Sequence, residues 1–207
     1  MSNPVFLNED ERDCLQELMN VSYGEATAAI ASIIDRYATL AIPKINTITL
    51  SELKEHLNNK LLHNDSLYIA SQIIHGNISG ENLFVIDDKS SYNLTKEFGL
   101  EDDEIDDDEI AEVVLEITNI ISSVTSGNLA SMINANITFA SPHLNKINSI
   151  NQFEDRFEQD YENVIIISTE LRFEDENIKG ELIILTKSDS SVFLKNSLIS
   201  FIEDVGA

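Results

Sequence analysis

The sequence predicts an α+β fold in which two similar halves share one sheet. The first observation is an internal repeat: "NISGE" at 77–81 returns as "NIKGE" at 177–181, an offset of 100 residues, and an apolar run follows each copy. The second is that hydrophobic periodicity gives both halves the order long helix, strand, short helix, hairpin and helix. A unit of two or three strands alone buries too little surface. We therefore expect one pseudo-twofold domain over 1–207, built from repeats at about 8–100 and 107–207, with helices packed over an antiparallel or mixed sheet.

The first half opens with a long amphipathic helix over 10–34. Its predicted core side comprises Leu15, Leu18, Met19, Ser22, Ala26, Ala29 and Ile33. The β-prone run "YATLAI" follows and ends at Pro43, which cannot donate to a ladder and therefore suits a strand end. A short polar helix at 51–60 precedes apolar strands at 67–75 and 79–86. The turn between these strands contains Gly76 and Asn77, which favours a hairpin, and a helix near 90–98 closes the half.

The second half repeats this order. The pattern predicts a long helix at about 109–133, a strand at 135–140, a charged helix near 151–159, strands near 163–172 and 178–186, and a final helix at 189–203. The segment "LEDDEIDDDEIAE" at 100–112 joins the halves. It is either an acidic docking segment or a solvated linker whose last acids stabilise the next helix through its macrodipole. Runs of charged residues usually serve only as solvated linkers of this kind, so we prefer the second interpretation.

Composition narrows the classes of function. A formal charge of −24 repels phosphate backbones and anionic lipid, so nucleic acid and membrane are poor partners, whereas proteins and cations remain. Cys14 is the only cysteine, which excludes an intramolecular disulfide. No apolar run reaches membrane-spanning length, and "MSNPVFLNEDERD" lacks the basic then apolar order of a signal peptide. We expect a cytoplasmic protein.

The duplicated long helices carry a duplicated polar motif. In each half an acidic residue is followed by Glu, Asn and Pro at the same spacing, written acidic-x3-Glu-x2-Asn-x22-Pro: Asp13, Glu17, Asn20 and Pro43, then Glu112, Glu116, Asn119 and Pro142. At 100° per residue the helical members lie on one stripe facing away from the predicted core, with Val114, Ile121 and Met132 opposite in the second helix.

One such stripe is ordinarily a solvated helix face. Its repetition argues for more, because asparagine is a weak former of helix interiors and here stands twice at one distance from a glutamate. A carboxamide offers both a donor and an acceptor but does not titrate near neutrality. It can orient a water molecule and cannot act as its base.

The motif resembles the signature of the CheC/CheX/FliY phosphatases of chemotaxis, [Asp or Ser]-x3-Glu-x2-Asn-x22-Pro. The first half satisfies it in full, and the second departs only at Glu112. Two copies in one chain of this length resemble the CheC type most closely. The resemblance implies a CheC-like fold with both motif-bearing helices on its surface.

The resemblance also implies a reaction, hydrolysis of the aspartyl phosphate of a CheY-like response regulator. Asn20 and Asn119 would enter the regulator's active site and orient the attacking water, while Glu17 and Glu116 would contact the regulator's active-site lysine. Mg²⁺ would be supplied by the regulator, so no cofactor or metal of its own is expected. Asp13 and Glu112 would either support a neighbouring side chain or the partner contact or, as acids near helix N-termini, act only on the helix macrodipole. Pro43 and Pro142 would shape the adjacent strand ends.

The alternative is a non-catalytic docking module that binds a response regulator or a CheD-like deamidase. Binding alone would not require both Glu-x2-Asn pairs, so we favour the phosphatase. The second copy lacks glycine after its asparagine, in "NIISSVT", and would be the weaker half if Ile121, Ser122 and Ser123 crowd its site; the departure at Glu112 also makes us rank this half second. The four histidines lack metal-ligand spacing, and Cys14 is expected to be a packed thiol.

Overall fold

The computed structural model describes residues 7–34, 38–42, 44–153, 161, 163–173 and 178–205. Its elements in chain order are α1 (Glu9–Ile34), β1 (Ala38–Leu40), β2 (Lys44–Thr49), α2 (Leu50–Leu61), β3 (Leu67–Gly76), β4 (Gly80–Asp87), α3 (Asp88–Glu97), α4 (Asp107–Met132), β5 (Ile137–Phe139), β6 (His143–Ile147), a 3-10 turn (Ile150–Gln152), β7 (Asn163–Phe173), β8 (Lys179–Thr186) and α5 (Ser188–Val205). The predicted long helices and both hairpins are confirmed, with bounds within about two residues, the ordinary uncertainty of helix ends.

The eight described strands form one sheet in the order β1-β7-β8-β4-β3-β5, with β2 also on β7 and β6 also on β3. Every pairing among them is antiparallel. At the centre of the sheet the halves meet where β4 pairs with β8, from Gly80 opposite Thr186 to Ile86 opposite Gly180. They also exchange strands, since β1 and β2 pair with β7, and β5 and β6 pair with β3. The α+β prediction is confirmed. One duplicated domain would give this arrangement, and we keep that interpretation of the chain.

Helices cover the two faces of the sheet unequally. On one face α1 and α4 pack against each other, with α3 beside α4 and α5 beside α1. Their core includes the fully buried Leu15, Ile117, Tyr68 and Phe84. The opposite face has a smaller apolar cluster under α2, built around Leu53 and other leucines. Since each such buried side chain contributes roughly 1.5–3 kcal/mol, the sheet fixes the position of the two long helices, which remain exposed along their outer sides.

Three details of the predicted pattern are wrong. Ile33 is 49% exposed rather than in the core, because the buried stripe of α1 continues at four-residue steps through Ala26, Ile30 and Ile34 and thus rotates around the helix. Strands β2 and β6 were not predicted, because polar residues dominate them and each pairs with only one neighbour. The charged helix expected near 151–159 is a 3-10 turn at its described end, and 154–160 lie outside the described residues.

The start of α4 uses the last acids of the linker. Asp106 caps the helix by accepting hydrogen bonds from the backbone N–H of Asp108 at 2.8 Å and of Glu109 at 3.3 Å. Asp107 Oδ1 accepts from Tyr68 Oη at 2.8 Å and from Lys146 Nζ at 2.7 Å. The preferred interpretation of the acidic segment, stabilisation of the following helix, is therefore confirmed for these residues.

The predicted turn between β3 and β4 requires its glycine. Gly76 has a φ of 120°, and a Cβ at this position would clash with the backbone oxygen of Asn136.

In the part of the chain that the structure describes, none of the helices has the combination of length and hydropathy that a membrane span requires.

Candidate functional site

The motif stripes lie on the outer sides of α1 and α4. Asp13 and Glu17 are exposed on α1, and Asn20 is half-buried. On α4, all three helical members, Glu112, Glu116 and Asn119, are exposed. Asparagine follows glutamate by three residues, which places both side chains on one side of the helix about 4.5 Å apart along its axis. Both surfaces are accessible to another molecule.

In the second half the whole motif borders one groove of about 800 Å³. Glu112, Glu116, Asn119 and Pro142 all line it. The groove runs between α4, the segment after α3, and the loop between β5 and β6. Its apolar surface comes from residues including Phe98, Leu100, Leu115 and Phe139. A charged and amide-bearing ridge therefore stands beside an apolar cleft.

In the first half the motif is divided. Asn20 lines a groove of about 410 Å³ with Tyr23, Gly24 and Thr27 of α1 and Leu40 after it. Asp13 and Glu17 are not among the residues that line this groove, and Pro43 lies outside the described residues. The structure thus brings four predicted site residues together in the second half and leaves the first-half carboxylates apart from the groove of their asparagine.

The crowding that would weaken the second site is not found at Ile121 or Ser122. Ile121 and Ser122 are both fully buried, because they face the core rather than the stripe, and Ser123 is half-buried. The larger groove lies in this half. The missing glycines after Asn119 therefore do not obstruct access, since the residues in their place point elsewhere.

The carboxamide of Asn119 is held by a residue that the motif does not include. Gln72, on β3 and only 1% exposed, donates from Nε2 to Asn119 Oδ1 at 3.0 Å and to the backbone oxygen of Ala140 at 2.9 Å. A backbone oxygen can only accept, so the Gln72 NH2 must face it, and Asn119 must then turn its oxygen to the same group. Asn119 therefore presents its own NH2 away from Gln72. The sequence signal was a polar residue inside the apolar run "LYIASQIIHG".

Gln72 also leaves an acceptor unsatisfied. Within the described part of the chain, its Oε1 is buried and has no hydrogen-bond partner. A buried polar atom without a partner costs about 1–3 kcal/mol. By contrast, no hydrogen bond joins the side chain of Asn20, Glu17 or Glu116 to a described residue. Of the two asparagines, only Asn119 has an orientation fixed by contacts within the described part of the molecule.

Two charged contacts fix the ends of the motif helices nearest the carboxylates. At the start of α4, the hydrogen bond from Lys146, together with that from Tyr68, holds the pKa of Asp107 below its usual value. At the start of α1, Glu11 is 3% exposed and lies 3.4 Å from Lys195 Nζ of α5. Asn8 and Glu11 also exchange backbone-to-side-chain hydrogen bonds at 2.8 Å, which caps this helix.

The other reactive groups of the described chain do not form a second centre. Burial raises the pKa of the Cys14 thiol, which packs against the core, as expected for an inert thiol. His56 Nε2 lies 2.8 Å from Glu181 Oε2, and His143 contacts Ser71. Among the described residues no three His, Cys, Asp or Glu side chains are grouped to hold a metal ion.

Comparison with known proteins supports the fold. No family model matches the sequence, and no curated protein matches it. Solved structures do match. FliY of Thermotoga maritima superposes with a TM-score of 0.74 at 16% identity, covering 95% of this chain and 100% of the FliY chain. The FliM middle domain of H. pylori gives a TM-score of 0.64 at 10% identity, covering 92% and 99%.

A CheX structure from Desulfovibrio desulfuricans gives a TM-score of 0.54 at 13% identity, covering 83% of this chain and 99% of CheX. The chain therefore has the fold of the CheC/CheX/FliY family, and the resemblance inferred from the motif is confirmed at the level of fold. The narrower assignment to the CheC type rests on the two motif copies and stays a prediction.

Proposed function

We propose that this protein is a phosphatase that removes the phosphoryl group from the aspartyl phosphate of a CheY-like response regulator in chemotaxis signalling. The observation that carries the proposal is the arrangement on α4. Glu116 and Asn119 are exposed side by side, and the Asn119 carboxamide is held in one orientation by Gln72. The shared fold with FliY and with CheX, whose structures are those of chemotaxis proteins, supports the same pathway.

The chemistry requires little from this chain beyond positioning. A water oxygen attacks phosphorus and forms a new P–O bond, while the bond between phosphorus and the aspartate oxygen breaks on the opposite side. The carboxylate leaves with the bonding electron pair, and the water proton passes to the inorganic phosphate or solvent. Because a carboxylate is a good leaving group, no base is needed from Asn119. Orientation of water is the main contribution available in such a step.

The carboxamide of Asn119 suits this task. Its Oδ1 has two lone pairs, of which Gln72 uses one, so the other can accept a hydrogen bond from the attacking water. Its NH2 retains two donors that can face phosphoryl oxygens. Asn119 in this arrangement orients the water by accepting its hydrogen bond and does not remove a proton from it, because an amide does not act as a base at neutral pH.

Glu116 supplies the complementary contact. About one turn before Asn119, it can pair with a lysine of the partner, and the net charge of −24 of this chain favours approach of such a cation. Such exposed pairs contribute little affinity alone but fix register. Mg²⁺ would belong to the regulator, and the residues here contribute no ligand to it.

The second candidate is a docking module, and one finding favours it. The FliM middle domain of H. pylori shares this fold, and its structures include complexes with SpeE and with FliG. The fold thus presents surfaces that bind proteins without indicating hydrolysis. A regulator or a CheD-like deamidase could bind here without being a substrate. The two candidates are distinguished by whether the wild-type chain accelerates hydrolysis of the aspartyl phosphate.

The test measures phosphate release from each CheY-like regulator of the source organism, loaded with Mg²⁺ and phosphorylated by a small acyl phosphate. The wild-type chain is expected to accelerate release, and Asn20→Ala combined with Asn119→Ala is expected to abolish the acceleration. Asn58→Ala, an exposed helical asparagine on α2, is the matched control and should behave as wild type. If the double variant binds a regulator and still accelerates release, the proposed mechanism is wrong. Binding without any acceleration by the wild type would favour the docking module.

A further inference from the structure

Gln72 occupies a position that connects the sheet to the motif helix. It lies on the face of β3 beneath α4, and it contacts both Asn119 on the helix and Ala140 in the loop that leads to Pro142. One side chain therefore joins three parts of the second-half groove. Among the described residues, the buried Oε1 of Gln72 has no hydrogen-bond partner, which costs free energy. The side chain makes its two contacts in spite of this cost.

The internal symmetry identifies the corresponding residue in the other half. Gly80 faces Ile74 in the first hairpin, and Gly180 faces Leu171 in the second. Two residues earlier along each strand stand Gln72 and Thr169. Thr169 Oγ1 donates to the backbone oxygen of Ala41 at 2.5 Å, as Gln72 donates to that of Ala140. The bond to the loop is thus present in both halves.

The hydrogen bond to the motif asparagine, in contrast, is found only at Asn119 and not at Asn20 among the described residues. A threonine side chain ends at its hydroxyl and uses it on Ala41, whereas the longer glutamine reaches the loop and the helix together. No described residue donates a hydrogen bond to the side chain of Asn20. The difference between the halves is therefore the bond to the motif asparagine.

We propose that Gln72 is a positioning residue for Asn119. It holds the carboxamide in the orientation that the reaction needs, so that the second half-site is pre-organised and the first is not. The inference rests on the proposed function for its kinetic consequence, but the restraint of Asn119 by Gln72 can be measured without turnover. A rotamer fixed before the partner binds removes an entropic cost from the productive complex.

The kinetic test uses Gln72→Met, which has similar volume and cannot donate. It is made in two backgrounds: Asn20→Ala, where only the second site remains, and Asn119→Ala, where only the first remains. We expect at least about a 5-fold fall in the rate at saturating regulator in the first background, with KM changed less than about 2-fold, and no change in the second, figures typical of a lost positioning contact. An equal fall in both backgrounds would mean that Gln72 acts through stability, and no fall in either would mean that it does not position Asn119.

The second measurement is independent of activity. The side-chain amide of Asn119, assigned by comparison with Asn119→Ala, should show a lower heteronuclear NOE in Gln72→Met than in the otherwise unchanged chain, while the Asn20 amide should not change. An Asn119 amide of equal order in both proteins would overturn the inference. If the wild-type chain accelerates no regulator, the proposed function fails, and this comparison alone decides whether Gln72 restrains Asn119.

Discussion

The two copies of the motif differ more in their surroundings than in their sequence. Around Asn119 the glutamate, the acidic residue and the proline of the motif share a groove of about 800 Å³. Around Asn20 the groove is about 410 Å³, and it includes neither Glu17 nor Asp13. Repetition of a motif along a chain therefore does not imply two equivalent sites. The elements packed beside each motif helix decide whether its side chains act together.

The elements beside the motif helices show how this difference arises. Beside α4, the groove is lined by Phe98 and Leu100, which follow the short α3 of the first half. The equivalent helix of the second half, α5, has 18 residues against 10 in α3, and it packs beside α1. Beneath the helices, a glutamine in one half is replaced by a threonine in the other. If the halves arose by duplication, as the sequence repeat suggests, the fold was kept while these neighbours changed.

The largest expected effect separates the two asparagines. Asn119→Ala should lower phosphate release from a phosphorylated regulator by at least about 10-fold, because it removes the pre-organised carboxamide. Asn20→Ala should lower the same rate by less than about 2-fold, since that side chain is not restrained by a described residue and the groove that it lines does not include Glu17. The measurement is a single-turnover assay with both variants at equal concentration. Similar losses in the two variants would contradict the asymmetry, and a larger loss in Asn20→Ala would reverse it.

Much of this arrangement could be predicted from the sequence because it depends on local pattern. The long helices, the two hairpins and the outward direction of the stripes follow from periodicity and from turn residues such as Gly76. The motif itself could be recognised from the constant spacing of its residues in the two halves. These features are determined by residues close together in the chain, where hydrophobic alternation and backbone preferences act directly.

The rest depends on contacts between distant residues. Gln72 and Asn119 are 47 positions apart, and nothing in either neighbourhood indicates that they meet. Ile121 already lies opposite the motif stripe at 100° per residue, and the structure shows that Ser122 is also turned to the core. The exposure of Ile33 was missed because the rotation of the buried stripe around α1 depends on how that helix packs. The contacts around Asn119 argue for ranking the second half-site first, whereas glycine content and Glu112 favoured the first, and the ranking stays a prediction.

A smaller effect is expected from the glutamates. Glu116→Gln should weaken binding of the regulator by about 3-fold at low salt, because an exposed ion pair contributes at most about 1 kcal/mol, and the loss should shrink at about 0.5 M salt. Glu17→Gln should change the affinity by less than about 1.5-fold if the first site is secondary. Binding is measured by titration with fluorescence anisotropy. The matched control is Glu55→Gln, an exposed glutamate on α2. Equal weakening by the two motif variants would show that both helices contact the partner.

The smallest effect concerns how α4 is held against the sheet. The pKa of Asp107 is lowered, chiefly by the hydrogen bond from Lys146, and the pKa of Lys146 is raised, chiefly by Asp107. The stabilisation is therefore complete between the ordinary pKa of Asp, about 4, and that of Lys, about 10. It is lost as pH falls through the lowered pKa of Asp107, or rises through the raised pKa of Lys146. Because both side chains are largely exposed, the contribution is at most about 0.5 kcal/mol.

Asp107→Asn should accordingly lower the free energy of unfolding at pH 7 by about that amount, and the difference from wild type should disappear near pH 2. Urea unfolding followed by circular dichroism at both pH values measures it. Asp108→Asn, in the same helical turn, is the control, since its neighbour Asp107 rather than Asp108 makes the contacts to Tyr68 and Lys146. A difference that persists at pH 2 would show that the amide disturbs the helix start rather than the charge. The contrast with α1 is then direct, because the acid paired with a lysine near the start of that helix, Glu11, is buried beside Lys195, and its removal should cost more than that of an exposed pair.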